Sequence, residues 1–270
     1  MEEIFTCQFR KASPYNSMAS LHRHDMCELY FLSSGERRYF ILDTVLTVHA
    51  KGFVFIKAGL FHKTSFSGSS QHTRYVANIP SSWLSGAEDV LPPFFAVDDV
   101  PFLEVLFSQL QMEADNTDEV ASLRARGLAA QIVSQAYRAW KERQQPHDPF
   151  IDEVTAYVKG NISGDLSLDN LASHMGYSRN YFSALFHEKT GMKLSDFIRS
   201  SRISIACEAL EKGESVSSAA SLAGFSDAGY FKDVFRSVMK ISPSAYRKNA
   251  ERSGKWVSCP VRTVPDEVSL

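Results

Sequence analysis

The chain has 270 residues, 29 Lys+Arg against 31 Asp+Glu, a formal net charge of −2 and 44% hydrophobic residues. That length suits two domains, and a charge so close to zero gives no hint of nucleic acid, so such a partner must be argued from motifs. The cysteines Cys7, Cys27, Cys207 and Cys259 form no C-x-x-C pair, and there is neither a charged-then-apolar leader nor an apolar run near 18 residues, so a reduced, soluble, cytoplasmic protein without a membrane partner is expected.

Residues 1–95 read as β structure. Leu29–Leu32, Arg38–Leu42 and Phe53–Ile56 are short runs rich in β-branched and aromatic residues. Turn signals separate them at Ser34-Gly35, Lys51-Gly52 and Ala58-Gly59. Many short strands at this spacing predict a barrel or jelly roll.

Inside this region stands His22-Arg23-His24, with Glu28 four residues on and His62 three residues beyond Gly59. The set resembles the cupin signature, although Lys57 stands where cupins place Pro. The resemblance implies that two His, one Glu and a third His converge inside the barrel. Three readings stay open: a divalent-metal site of Zn, Fe, Mn or Ni type, a ligand pocket reusing some of these side chains, or structural histidines. The ligand-pocket set is His22, His24, Glu28, Arg38 and His62; no cofactor is required, and His22, His24, Glu28 and His62 are the ligands if a metal is held. Arg37, Tyr39 and Trp83 are further candidates for lining a pocket for a polar effector such as a sugar.

Residues 101–143 turn helical. Phe102, Leu103, Val105, Leu106, Leu110 and Met112 form one apolar segment. Leu123, Leu128, Ile132, Val133, Ala136, Tyr137 and Trp140 form a second, beyond Asn116-Thr117-Asp118. A helical hairpin packed on the barrel is expected. The polar, proline-bearing segment 144–149 reads as the linker, and the tail 254–270 as loose.

The remaining residues contain one pattern written twice. Ala172 and Gly176 recur at Ala220 and Gly224, and Phe182 and Phe186 recur at Phe231 and Phe235, with one extra residue after the second turn. Each copy predicts a helix-turn-helix. A small Ala lets two helices cross closely, and the Gly takes positive φ at the turn. Tyr177 or Phe225 plugs the inter-helix core, and Ser178 or Ser226 caps the next helix. That helix buries Phe182, Leu185 and Phe186 in the first copy, and Phe231, Val234 and Phe235 in the second. The faces left for DNA are Arg179, Asn180, Ser183, Ala184 and His187, then Ala228, Gly229, Lys232, Asp233 and Arg236. Between the copies, a helix from about Asp196 to Glu211, capped by Ser195, predicts a stiff spacer able to present both copies to successive major grooves. The charge supports this weakly: residues 150–255 carry 14 Lys+Arg against 12 Asp+Glu, whereas 1–149 carry 14 against 17.

Leu171-Ala172, Gly176-Tyr177-Ser178, Tyr181-Phe182-Ser183, Phe186, Thr190-Gly191, Arg202, Ala206, Leu210, Ala220, Gly224-Phe225, Tyr230-Phe231, Phe235, Ser242-Pro243 and Tyr246-Arg247 together resemble the AraC/XylS family of bacterial transcription regulators. The resemblance covers about 150–249. It implies an all-helical domain with two helix-turn-helix motifs that binds promoter DNA and usually activates transcription by contacting RNA polymerase. It also implies dimerisation through the front half. Two positions depart from the pattern: Lys240 stands where Gly is usual, implying a positive φ, and Lys193-Leu194 replace Ser-Pro.

The sequence therefore reads as an α+β two-domain chain. A cupin-like, ligand-sensing and dimerising jelly roll with a helical hairpin (1–143) precedes a tandem helix-turn-helix domain (150–253). The function is that of a non-enzymatic, ligand-responsive transcription regulator, an activator of metabolic genes, forming a homodimer. The alternatives are a metal-dependent cupin enzyme with a DNA-binding appendage, and a constitutive DNA-binding protein without an effector.

Overall fold

The computed structural model describes residues 5–12, 21–66, 72–87, 89–143 and 148–253. The strands are β1 (Thr6–Ala12), β2 (Cys27–Ser34), β3 (Glu36–Ile41), β4 (Thr44–His49), β5 (Gly52–Ile56), β6 (His62–Phe66), β7 (His72–Ile79) and β8 (Phe94–Val97). One antiparallel sheet runs β1-β7-β2-β5-β8 and the other β4-β3-β6. The turns fall where the sequence put them, with Gly35 and Gly59 at positive φ. Leu42 and Lys51 also take positive φ, so Leu42 belongs to the β3–β4 turn rather than to a strand.

Strand side chains alternate between faces, and the alternation builds the front half in layers. Leu29, Phe31, Phe53 and Phe55 point one way, into a core shared with α1 (Leu103–Ala114) and α2 (Ala121–Arg143). Their neighbours Tyr30, Leu32, Val54 and Ile56 point the other way, meeting Tyr39, Ile41 and Val48 of the second sheet. Part of the outward face of that second sheet is covered by the helical half. Phe40 and Phe61, with Leu21, join the buried core of the helical half. The Phe40 ring lies 5.6 Å from Phe197, edge to face.

The helical half comprises α3 (Pro149–Gly160), α4 (Leu168–His174), α5 (Arg179–Thr190), α6 (Leu194–Glu211), α7 (Val216–Leu222), α8 (Ala228–Met239) and α9 (Pro243–Ser253). The linker expectation is corrected at its end. Asp148 caps α3, accepting from the amides of Phe150 (3.1 Å) and Ile151 (3.4 Å), and Pro149 is its first residue, where a missing N–H costs nothing. Residues 144–147 and the tail 254–270, including Cys259, lie outside the described residues; Cys7, Cys27 and Cys207 are buried, and among the described residues none is in a disulfide.

Several local expectations are also corrected. The spacer helix begins at Leu194 with Lys193 at its cap, not with Ser195. The cap of α8 is Asp227, not Ser226: its carboxylate accepts from Tyr230 N at 2.5 Å, which accounts for the extra residue in the second copy. Ser178 occupies the cap position of α5 without a side-chain cap bond, and Leu185 is only partly buried. Tyr177 is 39% exposed and lies edge to face on Phe150 (5.9 Å) rather than inside the core, whereas Phe225 is buried. Phe102, Val105, Met112 and Leu123 are exposed, because α1 turns Leu103, Leu106, Phe107 and Leu110 inward and α2 turns Ala121, Ala125, Ala129, Ile132, Val133 and Ala136 inward.

Candidate nucleic-acid interface and a buried histidine cluster

The two repeats fold alike. Tyr177 N donates to Ala172 O and Phe225 N to Ala220 O, both at 2.9 Å, and Gly176 and Gly224 sit at φ 72° and 77°. This is the glycine helix stop, in which the left-handed residue lets the chain reverse into the next helix. The capping serines before them are also equivalent. Ser167 Oγ accepts from Asn170 N at 3.3 Å, and Ser215 Oγ from Ser218 N at 3.0 Å. At their far ends α5 and α8 both stop on a left-handed residue, Gly191 (φ 66°) and Lys240 (φ 60°).

Phe182 and Phe186, and Phe231, Val234 and Phe235, are buried as the spacing required. The opposite faces are open. Arg179, Asn180, Ser183, Ala184 and His187 on α5, and Ala228, Gly229, Lys232, Asp233 and Arg236 on α8, are all exposed. Arg179 reaches back to Asp169 on α4 at 2.5 Å, a solvent-exposed pair that is cheap to exchange for another anion.

α6 supports both pairs. Its 18 residues at 1.5 Å rise span about 27 Å. Arg202, partway along it, donates through Nε to Ile162 O (3.2 Å) and through Nη2 to Gly164 O (3.3 Å), while its guanidinium lies 5.7 Å from the Phe225 ring. The loop before the first pair is thereby tied to the turn of the second. Gly224 lies against that loop so closely that a Cβ there would meet Ile162 O at 2.2 Å. Sequence reasoning placed Arg202 in the family pattern but gave it no task.

In the front half, His22, His24, Glu28 and His62 do converge. One donor atom from each lies within 4.8 Å of all the others. His22 and His62 face each other through a two-bond bridge (His22 N to His62 O, 3.0 Å; His62 N to His22 O, 2.9 Å), and Gly59 N donates to His24 O at 2.8 Å. The Nδ1–H of His24 donates to Met26 O (2.8 Å) and that of His62 to Leu60 O (2.9 Å). Each bond fixes the ring so that Nε2 is presented to Glu28 Oε2, in both cases at 3.5 Å. That spacing exceeds an ordinary charge-assisted hydrogen bond.

Burial opposes ionisation of Glu28, but His62 and His24 outweigh it and hold the carboxyl well below the usual range. Burial likewise works against the His24 imidazolium, and Glu28, Met26 O and Asp25 more than offset it, raising its pKa. Backbone-anchored Nδ1, converging Nε2 and an anionic carboxylate are the donor set and outer support that a borderline divalent ion takes. The residues fit such an ion.

The other pocket candidates disperse. Tyr39 stays beside the cluster, with its hydroxyl 3.5 Å from Glu28 Oε1, and Arg37 is buried nearby, donating to Thr64 Oγ1 at 2.7 Å. Trp83 instead packs on Phe5 (5.0 Å) in the core beneath α1 and α2. Arg38, on the opposite face of β3 from Arg37 and Tyr39, donates to Glu188 O of α5 at 2.7 Å. It joins the two halves rather than the cluster. Sequence reasoning also gave no role to Arg23, which is 1% exposed between His22 and His24. The strict alternation His-Arg-His was the available signal; its partners, Glu211 and Tyr246, are too distant in sequence to have left one.

Comparison with known proteins places the helical half. A family model described as "Helix-turn-helix domain" matches residues 171–249. The regulatory protein PocR of Salmonella typhimurium is 36% identical over 104 residues, 38% of this chain, which spans about a third (34%) of that protein. The HTH-type transcriptional activator AarP of Providencia stuartii is 32% identical over 108 residues, 40% of this chain and 80% of that one. YfiF of Bacillus subtilis, named an uncharacterized HTH-type transcriptional regulator, is 25% identical over 254 residues, 86% of this chain and 79% of its own. With the matched repeats, caps and open helix faces, these similarities identify the chain as a member of the AraC family of DNA-binding transcription regulators.

Proposed function

We propose that the protein is a ligand-responsive, sequence-specific regulator that binds promoter DNA through two helix-turn-helix motifs, α4–α5 and α7–α8. The carrying observation is that every side chain of the two outward faces is exposed while the inward faces are buried. Asn180 and Arg179 lead the first helix into a major groove, where amide and guanidinium groups read base edges. α8, with Ala228 and Gly229 at its start, supplies mainly phosphate contacts through Lys232 and Arg236.

The front half is the sensor, a cupin-like jelly roll whose effector enters between its two sheets, where Glu28, Arg37 and Tyr39 lie. A polar small molecule such as a sugar suits these groups. Effector binding shifts the population competent for DNA by changing how the front half holds α5 and α6. The exposed Phe102 (79%), Leu123 (71%) and Met112 (69%) of the α1–α2 hairpin make the homodimer surface. Output is activation, as the name of the transcriptional activator AarP supports; metabolic target genes and contact with RNA polymerase are what the family resemblance implies.

The test is genome-wide mapping of bound sites with and without candidate metabolites, followed by affinity measurements on the recovered fragments. Sequence-selective binding that changes with a metabolite is expected. Binding unaffected by every metabolite and by pocket substitutions overturns the sensing part and leaves a constitutive DNA-binding protein.

A further inference from the structure

The segment His22-Arg23-His24 is extended, so its side chains alternate. His22 and His24 turn inward to Glu28 and His62. Arg23 turns outward and is buried in the helical half. Its Nη1 donates to Glu211 Oε2 at 3.1 Å, at the end of α6, and its Nη2 to the Tyr246 hydroxyl of α9. That hydroxyl in turn donates to Glu211 Oε1, closing a three-residue ring of charge-assisted bonds. The opposite strand repeats the arrangement: His62 turns inward, while Phe61 turns outward and carries the Arg23 guanidinium 4.4 Å from its ring centroid. Two stretches of backbone, bridged at His22 and His62, thus place cluster donors on one side and the Arg23 anchor on the other.

We propose that a divalent first-row transition-metal ion held by His22, His24, Glu28 and His62 controls this anchor, and is thereby a regulatory ligand of the protein. The ion's chemical class follows from three imidazoles and a carboxylate. Occupancy fixes the backbone of residues 22–24 and 61–62. A fixed backbone holds Arg23 against Glu211 and Tyr246, and so fixes α6 and α9, which carry the second helix pair, against the front half. The proposal deepens the sensor reading above and rests on it for its consequence at DNA, but the coupling itself does not.

Coupling is reciprocal: whatever strengthens the anchor when metal binds must weaken metal when the anchor is removed. The experiment uses full-length, chelator-treated protein titrated with Co(II), whose visible absorption reports stoichiometry and ligand field. Wild type is expected to bind one Co(II) per chain, and His62→Gln to lose it. Tyr246→Phe, which keeps the packing and the Arg23–Glu211 pair, and Arg23→Met, which leaves all four donors intact, are expected to weaken Co(II) by about five-fold or more with an unchanged spectrum. The second readout is alkylation of buried Cys207 on α6 in a Cys259→Ser background. Co(II) is expected to slow it in the parent and not in Arg23→Met.

Absence of Co(II) binding overturns the proposal, as does equal affinity in wild type and both anchor variants. Outcomes at DNA are separate. Coupled metal binding with no affinity for any promoter fragment sinks the regulator reading and leaves the coupling. Metabolite-dependent DNA binding that Co(II) leaves unchanged keeps the regulator reading and overturns the metal as its regulatory ligand.

Discussion

Arg202 Nε and the carbonyl of Ile162 are 3.2 Å apart, and through them the spacer helix holds the loop that leads into the first helix pair against the turn of the second. The relative aim of the two pairs depends on this contact and its partner at Gly164. Arg202→Met is therefore expected to cost about 1.5–3 kcal/mol of stability, the range for hydrogen bonds to a charged group. More tellingly, its affinity for a full two-groove site should fall by a larger factor than its affinity for a half-site. Equal factors, measured on DNA fragments carrying one or both half-sites, would assign Arg202 to stability alone.

Gly176 and Gly224 occupy the same place in the repeat and share nearly the same φ, yet alanine should not cost the same at each. At Gly176 a Cβ meets nothing within 4 Å, so only the left-handed backbone penalty of about 1–2 kcal/mol applies. At Gly224 the same penalty adds to contacts of 2.2 Å with Ile162 O and 2.9 Å with Ser163 Cα, neither able to swing away. Denaturant unfolding of the two variants should show Gly224→Ala the more destabilised by at least about 1 kcal/mol, the size of an overpacking cost.

Lys63 points from β6 to α6, where it donates to Ser200 Oγ at 2.9 Å and faces Asp196 and Arg199. Burial lowers its ammonium to about 8 from 10.5, with Asp196 opposing and Arg199 adding to the shift. Above pH 8 the native chain gives up a proton that the unfolded chain keeps until about 10.5, so the Lys63 contribution to stability rises with pH across that window and is lost as pH falls back through 8. The unfolding free energy of wild type minus that of Lys63→Met should climb between pH 8 and 10.5 and be flat from pH 6 to 7. Parallel curves throughout would contradict the assignment, because all other titrations cancel in the difference.

The two reading helices should respond differently to truncation. Asn180→Ala is expected to relax preference at one base position by about 1–3 kcal/mol. Lys232→Ala should weaken all sequences alike and flatten the salt dependence by about one phosphate contact. A selection from random DNA reports the first, and affinity at several salt concentrations the second. Unaltered preference in Asn180→Ala would move base reading to another face.

The repeat was the most legible part of the chain, because each turn is dictated locally: a small residue, a glycine that can take positive φ, and two aromatic anchors at helical spacing. Lys240 is the instructive case, since the pattern alone implied a left-handed residue there and φ is 60°. Local competition was harder to read. Ser226 and Asp227 are both good caps, and a carboxylate at the helix N-terminus won over the hydroxyl. The histidine cluster was legible through the resemblance to the cupin signature, which implied that His22, His24, Glu28 and His62 converge, as they do. What lay beyond sequence reasoning was everything joining the halves. Arg38 looked like a pocket residue because neighbouring side chains on a strand differ only in face, and the face was set by α5, 150 positions away.

Asp148 both caps α3 and pairs with Lys189 of α5 at 2.5 Å. The peptide crossing from front to rear is thus stapled on arrival to the first reading helix, while Arg38, Phe40, Arg23 and Lys63 fasten the same two bodies side by side. A single protease cut at residues 144–147 should therefore leave two fragments that still migrate as one particle, held by docking alone.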